Sequence, residues 1–402
     1  MPDWTKSMQR TFEYYIVDPA TWMDSKLLTS ILSSSITWDY FSDTVGSASF
    51  SLTESIGEAY IRIYLITSQN GVKERWRLGT FLAQSPSFSF NGKYRTENID
   101  AYSPLIELKE KQPPLGYTVL KNSVIMPIVS QLTANNLRAQ VISVPSSVGA
   151  KPLDANYTAN TDDTWFSYIS GLLDKTDYKF DLDDSGRILF SPIQKTEAMT
   201  PRWTYSTDNS SILSSEISID RDIYGIPNVI EVIQKVDGVS YIARAVNSDP
   251  LSPISTVTRG REIVKRITNV NFGGGSPTAA QVDDYAKQAL KKISTTSYKV
   301  TYSHAYCPIR IGDCVLINYP KVGLNNVKAK VISQSIQCDT AMTVNETAEY
   351  SINLMEGHLI PRTEARVSSY TPPVSLPDNN TRSISLDNDA VPSITINNPE
   401  ER

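Results

Sequence analysis

Between Ser297 and Gly357 the sequence reads as one short strand after another. "SYKVTYSHAYCPIRIGDCVLINYP" (Ser297–Pro320) is followed by "NNVKAKVISQSIQCDTAMTVNETAEYSINLMEG" (Asn325–Gly357). The pattern runs up to a turn at Ile311-Gly312-Asp313, into an apolar strand Cys314–Tyr319, then through Lys328–Gln337 to Glu349–Leu354. Short alternating runs punctuated by turn residues predict a small β-barrel or sandwich, because each strand buries its apolar side only within a larger sheet. No other segment constrains the fold as strongly, and no other offers chemistry of its own.

The first 112 residues have the same character. "FEYYIV" (Phe12–Val17) precedes Asp18-Pro19, which suits a strand stop or a helix start. "SSITWDY" (Ser34–Tyr40), "SASFSLTE" (Ser47–Glu54) and "AYIRIYLI" (Ala59–Ile66) follow. Asn70-Gly71 and Asn91-Gly92 are strong hairpin signals, flanking "RWRLGTFLA" (Arg75–Ala83) and opening "NGKYRTENIDAY". Pro113-Pro114 mark a boundary. Residues 113–199 then turn helical in part. Asn122–Asn136 carries Ile125, Ile128, Val129 and Leu132 at helical spacing. Ala159–Lys175 places Trp165, Phe166, Ile169, Leu172 and Leu173 on one stripe, behind a cap at Thr161 or Asn160. The segment closes with a hairpin around Asp184-Ser185-Gly186.

Strands resume in residues 200–356 with "EISIDRD" and the hairpin Pro227–Val246 on Asp237-Gly238. An insertion at about 247–294 holds Gly273–Gly275 and a helix capped by Thr278 and Gln281. That helix's apolar face is Val282, Tyr285, Ala286, Ala289, Leu290 and Ile293. Residues 357–402 differ again, with six prolines from Pro361 onward and a single aromatic, Tyr370. Such a stretch buries too little to fold alone. It is either disordered or an arm that docks on a partner, with Arg382–Leu386 and Pro392–Ile396 able to add to a neighbour's sheet.

Composition narrows the function classes. A net charge of -5 over 402 residues argues against a generic nucleic-acid binder, though it is compatible with a channel through which DNA passes without sticking. There is no run of apolar residues long enough for a membrane helix, and "MPDWTKSMQRTFEYY" has no apolar run suited to a signal peptide. Cys307, Cys314 and Cys338 are an odd number without metal-ligand spacing, and read as quiet thiols in strands. The two histidines, His304 and His358, lie in no protease or metal motif. Gly273-Gly274-Gly275-Ser276-Pro277-Thr278 lacks the Lys of a phosphate loop. Asp181, Asp183, Ser185 and Gly186 imitate the start of a calcium loop, but Pro192 stands where the bidentate Glu belongs. Basic residues gather at Arg259, Arg261, Lys265, Arg266, Lys287, Lys291 and Lys292, either as a solvated face or as a contact for an acidic neighbour. The sequence therefore names no catalytic, cofactor-binding or metal-ligating residue, and predicts no cofactor and no enzyme activity.

The order of these segments resembles the tail hub family of bacteriophages, which includes baseplate hubs, tail-tip hubs and the hub part of type VI secretion spikes. "SASFSLTE" with "LGTFLAQSPSFSFNGKYRTENIDAYSPLIELKE" is similar to that family's opening strands and closing element. Ser103 stands where the family has an aspartate. "TDDTWFSYISGLLDKTDYKFDLDDSGRILFSP" resembles its helix-then-hairpin module. "YGIPNVIEVIQ" (Tyr224–Gln234) and "CPIRIGDCVLINYP" resemble the first and returning strands of its second barrel. The resemblance spans about residues 10–356 and implies a mainly β fold with α+β insertions: two β-barrel hub domains (1–112 and 200–356), a small α/β module (113–199) and an inserted helical segment. It also implies a structural role in the virion, at the tail tip or baseplate, after synthesis in the host cytoplasm. In that role a homotrimer forms a pseudo-sixfold ring joining the tail tube or distal tail protein to tail spike, fibre or other tip proteins. The tape measure protein and then DNA would cross its lumen without specific binding. The chain ends at Arg402 without an added hydrolase domain, favouring a structural hub. The alternatives are a cell-wall-degrading tail enzyme with an unrecognised carboxylate pair, or a host-binding adhesin using Trp4, Trp22, Trp38 and Trp76.

Overall fold

The computed structural model describes residues 2–142, 151–208, 211–236, 239–268, 270, 272 and 277–355. In the first region, β1 (Gln9–Asp18) and β2 (Met23–Leu28) form a hairpin, followed by β3 (Ile31–Asp39), β4 (Gly46–Leu52), β5 (Ala59–Gln69), β6 (Val72–Phe90) and β7 (Arg95–Tyr102). Asp18-Pro19 opens a tight turn and no helix: the Asp18 carboxylate accepts the Ala20 N–H and the Thr21 hydroxyl. At the β5–β6 hairpin, Asn70 and Gly71 both take positive φ, as a two-residue turn of this hand requires.

Next come α1 (Ile106–Glu110), β8 (Thr118–Val119), α2 (Ile125–Asn136), β9 (Tyr157–Thr158), α3 (Trp165–Leu173), β10 (Tyr178–Leu182) and β11 (Ile188–Pro192). The cap of α3 is Thr164, in a reciprocal pair with Ser167, so Asn160 and Thr161 lie upstream of the helix. Then follow β12 (Trp203–Ser206), β13 (Leu213–Asp220), β14 (Val229–Val236), β15 (Val239–Val246), α4 (Thr256–Arg259), β16 (Val264–Thr268), α5 (Ala279–Ile293), β17 (Thr295–Ala305), β18 (Cys314–Tyr319), β19 (Leu324–Gln337) and β20 (Thr343–Asn353). Thr278 and Gln281 cap α5 reciprocally, as their spacing predicts.

The fold is mainly β, built on large antiparallel pairings, but no closed barrel forms among the described strands. Thirteen strands join one sheet in the order β13-β17-β20-β19-β3-β4-β7-β6-β5-β1-β2, with β18 and β12 attached beside β19. The two regions expected to close separately are instead fused through β19 and β3, where Ser333–Gln337 pairs with Ser35–Asp39. A second difference concerns Pro227–Val246. The β14–β15 hairpin does not enter the large sheet; with β16 it makes a three-stranded sheet covered by α5. Its apolar side (Ile230, Val232, Ala243, Ala245) finds Val282, Ala286 and Leu290 of α5, which satisfies both amphipathic faces locally.

The region of α1–α3 packs against the outer face of the first strands. This explains why Ala59–Ile66 is an almost unbroken apolar run rather than an alternating one. Ile61, Ile63 and Leu65 face the main core, while Tyr60 joins the second core with Leu105, Ile125 and Leu172. A strand covered on both faces needs apolar residues on both.

Candidate functional site

We first consider the residues that the sequence offers for chemistry. His304, on β17, is buried among hydroxyls and one carboxylate. Its Nδ1 lies 2.8 Å from the Ala305 carbonyl oxygen and its Nε2 is 3.1 Å from the Tyr205 hydroxyl and 3.4 Å from Glu346 Oε2. Glu346 also accepts from the Tyr302 hydroxyl and, at 2.6 Å, from Gln334 Nε2. Burial alone would depress the imidazolium. The hydrogen bonds to Cys307 and Glu346 and the Glu346 charge outweigh it, raising the His304 pKa from 6.5 to about 10. Every member of this network is enclosed, so it braces the core and presents no surface to a substrate. His358 and Gly273–Ser276 lie outside the described residues, as do Asp237-Gly238 and everything from Glu356.

The calcium-like loop is a turn. Asp183 Oδ1 accepts the N–H groups of Ser185 and Arg187, and Oδ2 pairs with the Arg187 guanidinium at 2.6 Å. Its tip is seated in the sheet: the Ser185 carbonyl accepts from Trp22 Nε1, Arg62 Nη2 and Thr80 Oγ1. Arg62 is buried and its charge is met by Asp24 at 2.9 Å. Among the described residues no three or more His, Cys, Asp or Glu side chains are grouped to hold a metal. The cysteines are free and buried, but only Cys314 lies in a strand. Among the clustered basic residues, Arg266 pairs with Glu231, Lys287 with Asp283, and Arg259 donates to the Ile223 and Ile226 carbonyls. Trp4 and Trp22 are core residues, Trp4 lying edge-on to Trp76 and Tyr306, so these indoles do not form a binding surface. Ser103 is fully buried; its hydroxyl donates to Thr44 O and its N–H to Gly46 O.

Among the exposed large apolar side chains, three gather on one hairpin. The far half of the β6–β7 hairpin projects three large rings: Phe88, Phe90 and Tyr94 are 68%, 64% and 61% exposed. Phe88 lies opposite Glu97 and Phe90 opposite Arg95. Residues directly opposite in a pair share a face. The Arg95 guanidinium stacks 4.8 Å from the Phe88 ring, and Lys93 lies 4.9 Å from that of Tyr94. Glu97 on this face is buried; its Oε1 pairs with Arg95, while its Oε2 has no hydrogen-bond partner. Three strands of the sheet have one neighbour each among the described residues, β2, β13 and β12; Met23 and Leu27 on β2 are exposed. Sequence reasoning identified the hairpin through Asn91-Gly92 but assigned its phenylalanines to neither core nor surface. The signal it missed is cross-strand: their partners, Glu97 and Arg95, are charged.

No protein-family model matches the sequence, and comparison with curated proteins gives no match. Solved structures do share the fold. The tail protein from Neisseria meningitidis MC58 aligns over 86% of this chain and 99% of its own, at 12% identity and a TM-score of 0.55. The 43 kDa tail protein of prophage MuSo2 from Shewanella oneidensis aligns over 86% and 99%, at 10% identity and 0.53. A chain of the Francisella PdpA–VgrG complex aligns over 86% of this chain but 53% of its own, at 10% identity and 0.51.

Proposed function

We propose that this chain is a structural tail hub protein of a bacteriophage, acting at the tail tip or baseplate of the virion and not as an enzyme. The observation that carries the reading is the likeness in fold to two tail proteins, one of them from a prophage, over 86% of this chain and 99% of each of theirs. At this identity the likeness concerns the fold, and the functional step rests on the surface. Three exposed rings beside an unmatched carboxylate oxygen, on a hairpin held by backbone pairing, are the features of a surface completed by another subunit.

In this reading residues 1–112 and 200–356 are the two hub domains, set around the 113–199 module. Three copies place six such regions around a lumen that admits the tape measure protein and DNA. The ring joins the tail tube or distal tail protein to spike, fibre or tip proteins, which closed cyclic symmetry allows. Light scattering on the purified full chain across a concentration series tests this. A trimer mass, with threefold or sixfold rings in electron micrographs, supports the hub; a monomer at every concentration overturns it. A clearing zone on a peptidoglycan zymogram with pure protein would overturn the non-enzymatic part.

A further inference from the structure

Where β10, β19 and the end of β3 meet, a cleft of about 360 Å³ opens, lined by Tyr40, Lys179, Arg202, Arg310, Lys330 and Gly312 among others. Two ammonium groups converge on one ring: Lys179 Nζ lies 3.0 Å and Lys330 Nζ 4.4 Å from the centroid of Tyr40. Lys179 also donates to the Tyr40 carbonyl at 3.3 Å. Neither ammonium lies within ion-pair distance of a carboxylate among the described residues.

The carboxylates nearby have hydrogen-bond or ion-pair partners of their own, although Asp181 and Asp39 still act on Lys179 through their charge. Asp181 on β10 accepts from Ser191 Oγ at 2.6 Å and from its neighbour's N–H, Leu182, at 2.8 Å. Asp313 accepts the Arg310 N–H at 3.0 Å and pairs with Arg202 at 3.2 Å. Asp39, closing β3, accepts the Phe41 N–H at 2.8 Å. Arg310 pairs with Asp184 and donates to the Leu182 carbonyl. The two lysines are the cleft's cations without an ion pair, placed close together and half-buried; Asp181 offsets part of their charge, but the lining carries four cations against two carboxylates and faces space large enough for a small oxyanion. Two like charges held in this way repel unless an anion sits between them.

We propose that this cleft is an anion-binding site, in which Lys179 and Lys330 hold a carboxylate or phosphate group against the edge of Tyr40. The group has two sources with the same chemistry: a free anion, or an acidic side chain of a second copy of this chain. The proposal does not depend on the tail-hub reading, and failure of one leaves the other standing. The cation environment is consistent with it: desolvation, with Lys330 adding to it, brings the Lys179 pKa down to about 8 against the pull of Asp181 and Asp39, and a bound anion would raise it again.

The test is acylation of lysines in the full-length wild-type protein at pH 8, read site by site by mass spectrometry. Inorganic phosphate is added at an ionic strength matched with chloride, and Lys26 on the exposed face of β2 serves as the reference. Expected is at least several-fold slower labelling of Lys179 in phosphate with Lys26 unchanged, and loss of that protection in Lys330→Met. In a second arm, without phosphate, protein concentration is raised. Protection that appears only there identifies the second copy's carboxylate as the occupant. Equal labelling of Lys179 in phosphate and chloride, at low and high protein concentration alike, overturns the proposal. So does protection that Lys330→Met leaves intact while circular dichroism shows that variant folded.

Discussion

Gly79 interrupts β6 with a φ of +151°, at the register shift between Ile63 and Tyr64 of β5. A Cβ there would stand 2.7 Å from the Phe81 ring and 2.9 Å from that of Trp38, so the site excludes side chains on two independent grounds. Gly79→Ala is expected to lower stability by about 2–4 kcal/mol, combining backbone strain with overpacking; thermal denaturation measures it, and an unchanged midpoint would contradict the packing described. The second residue-scale prediction concerns His304. Its folded pKa, about 10, lies above the unfolded value of 6.5. The stabilisation is therefore complete below about pH 6.5 and is lost as pH rises towards 10. Glu346→Gln removes the charge that sustains it. That variant should lose about 3–5 kcal/mol at neutral pH, and its stability should no longer decline on this account between neutral and alkaline pH. Denaturant unfolding at several pH values separates the two effects.

At the scale of elements, the β10–β11 hairpin is held by its tip. One carbonyl, Ser185 O, accepts three donors from the first sheet, and Gly186 has no room for a side chain beside Thr80. Arg62→Met removes a buried donor and leaves Asp24 partly unmatched, at a cost of about 2–4 kcal/mol. Amide exchange should rise in Tyr178–Pro192 more than in β17–β20; uniform exchange would show that the tip does not anchor the module. This clamp was invisible in the sequence, where "DLDDSGR" reads as a polar turn and nothing marks Arg62 as its partner 123 residues away. By contrast α5 was legible throughout, because its cap and its apolar face both lie within one short segment.

For the whole molecule, the exposed hairpin lets stability be tested apart from the assembly proposed above. Phe88→Ser with Phe90→Ser touches no core, so unfolding should shift by no more than about 0.5 kcal/mol, while the oligomer mass seen by light scattering should fall; an unaltered mass would remove the hairpin from the interface. The sequence by itself determined the longer strands and helices, though not short elements such as α1, α4, β12 and β16. Cys314–Tyr319 is a strand with the limits its apolar run marks, and Asn70-Gly71 and Thr278 turn and cap as their chemistry demands. These are local preferences, encoded within a few residues of where they act. Only the tertiary structure decided which strands are neighbours. β3 pairs with β19 across some three hundred residues, and β14–β15 leaves that sheet for α5, because an alternating strand specifies the face it must bury and not the edge it must join. The same reason hid the exposed phenylalanines and the Lys179–Lys330 pair. Whether an apolar ring is core or surface, and whether two distant cations meet, depends on partners that long-range pairing alone supplies.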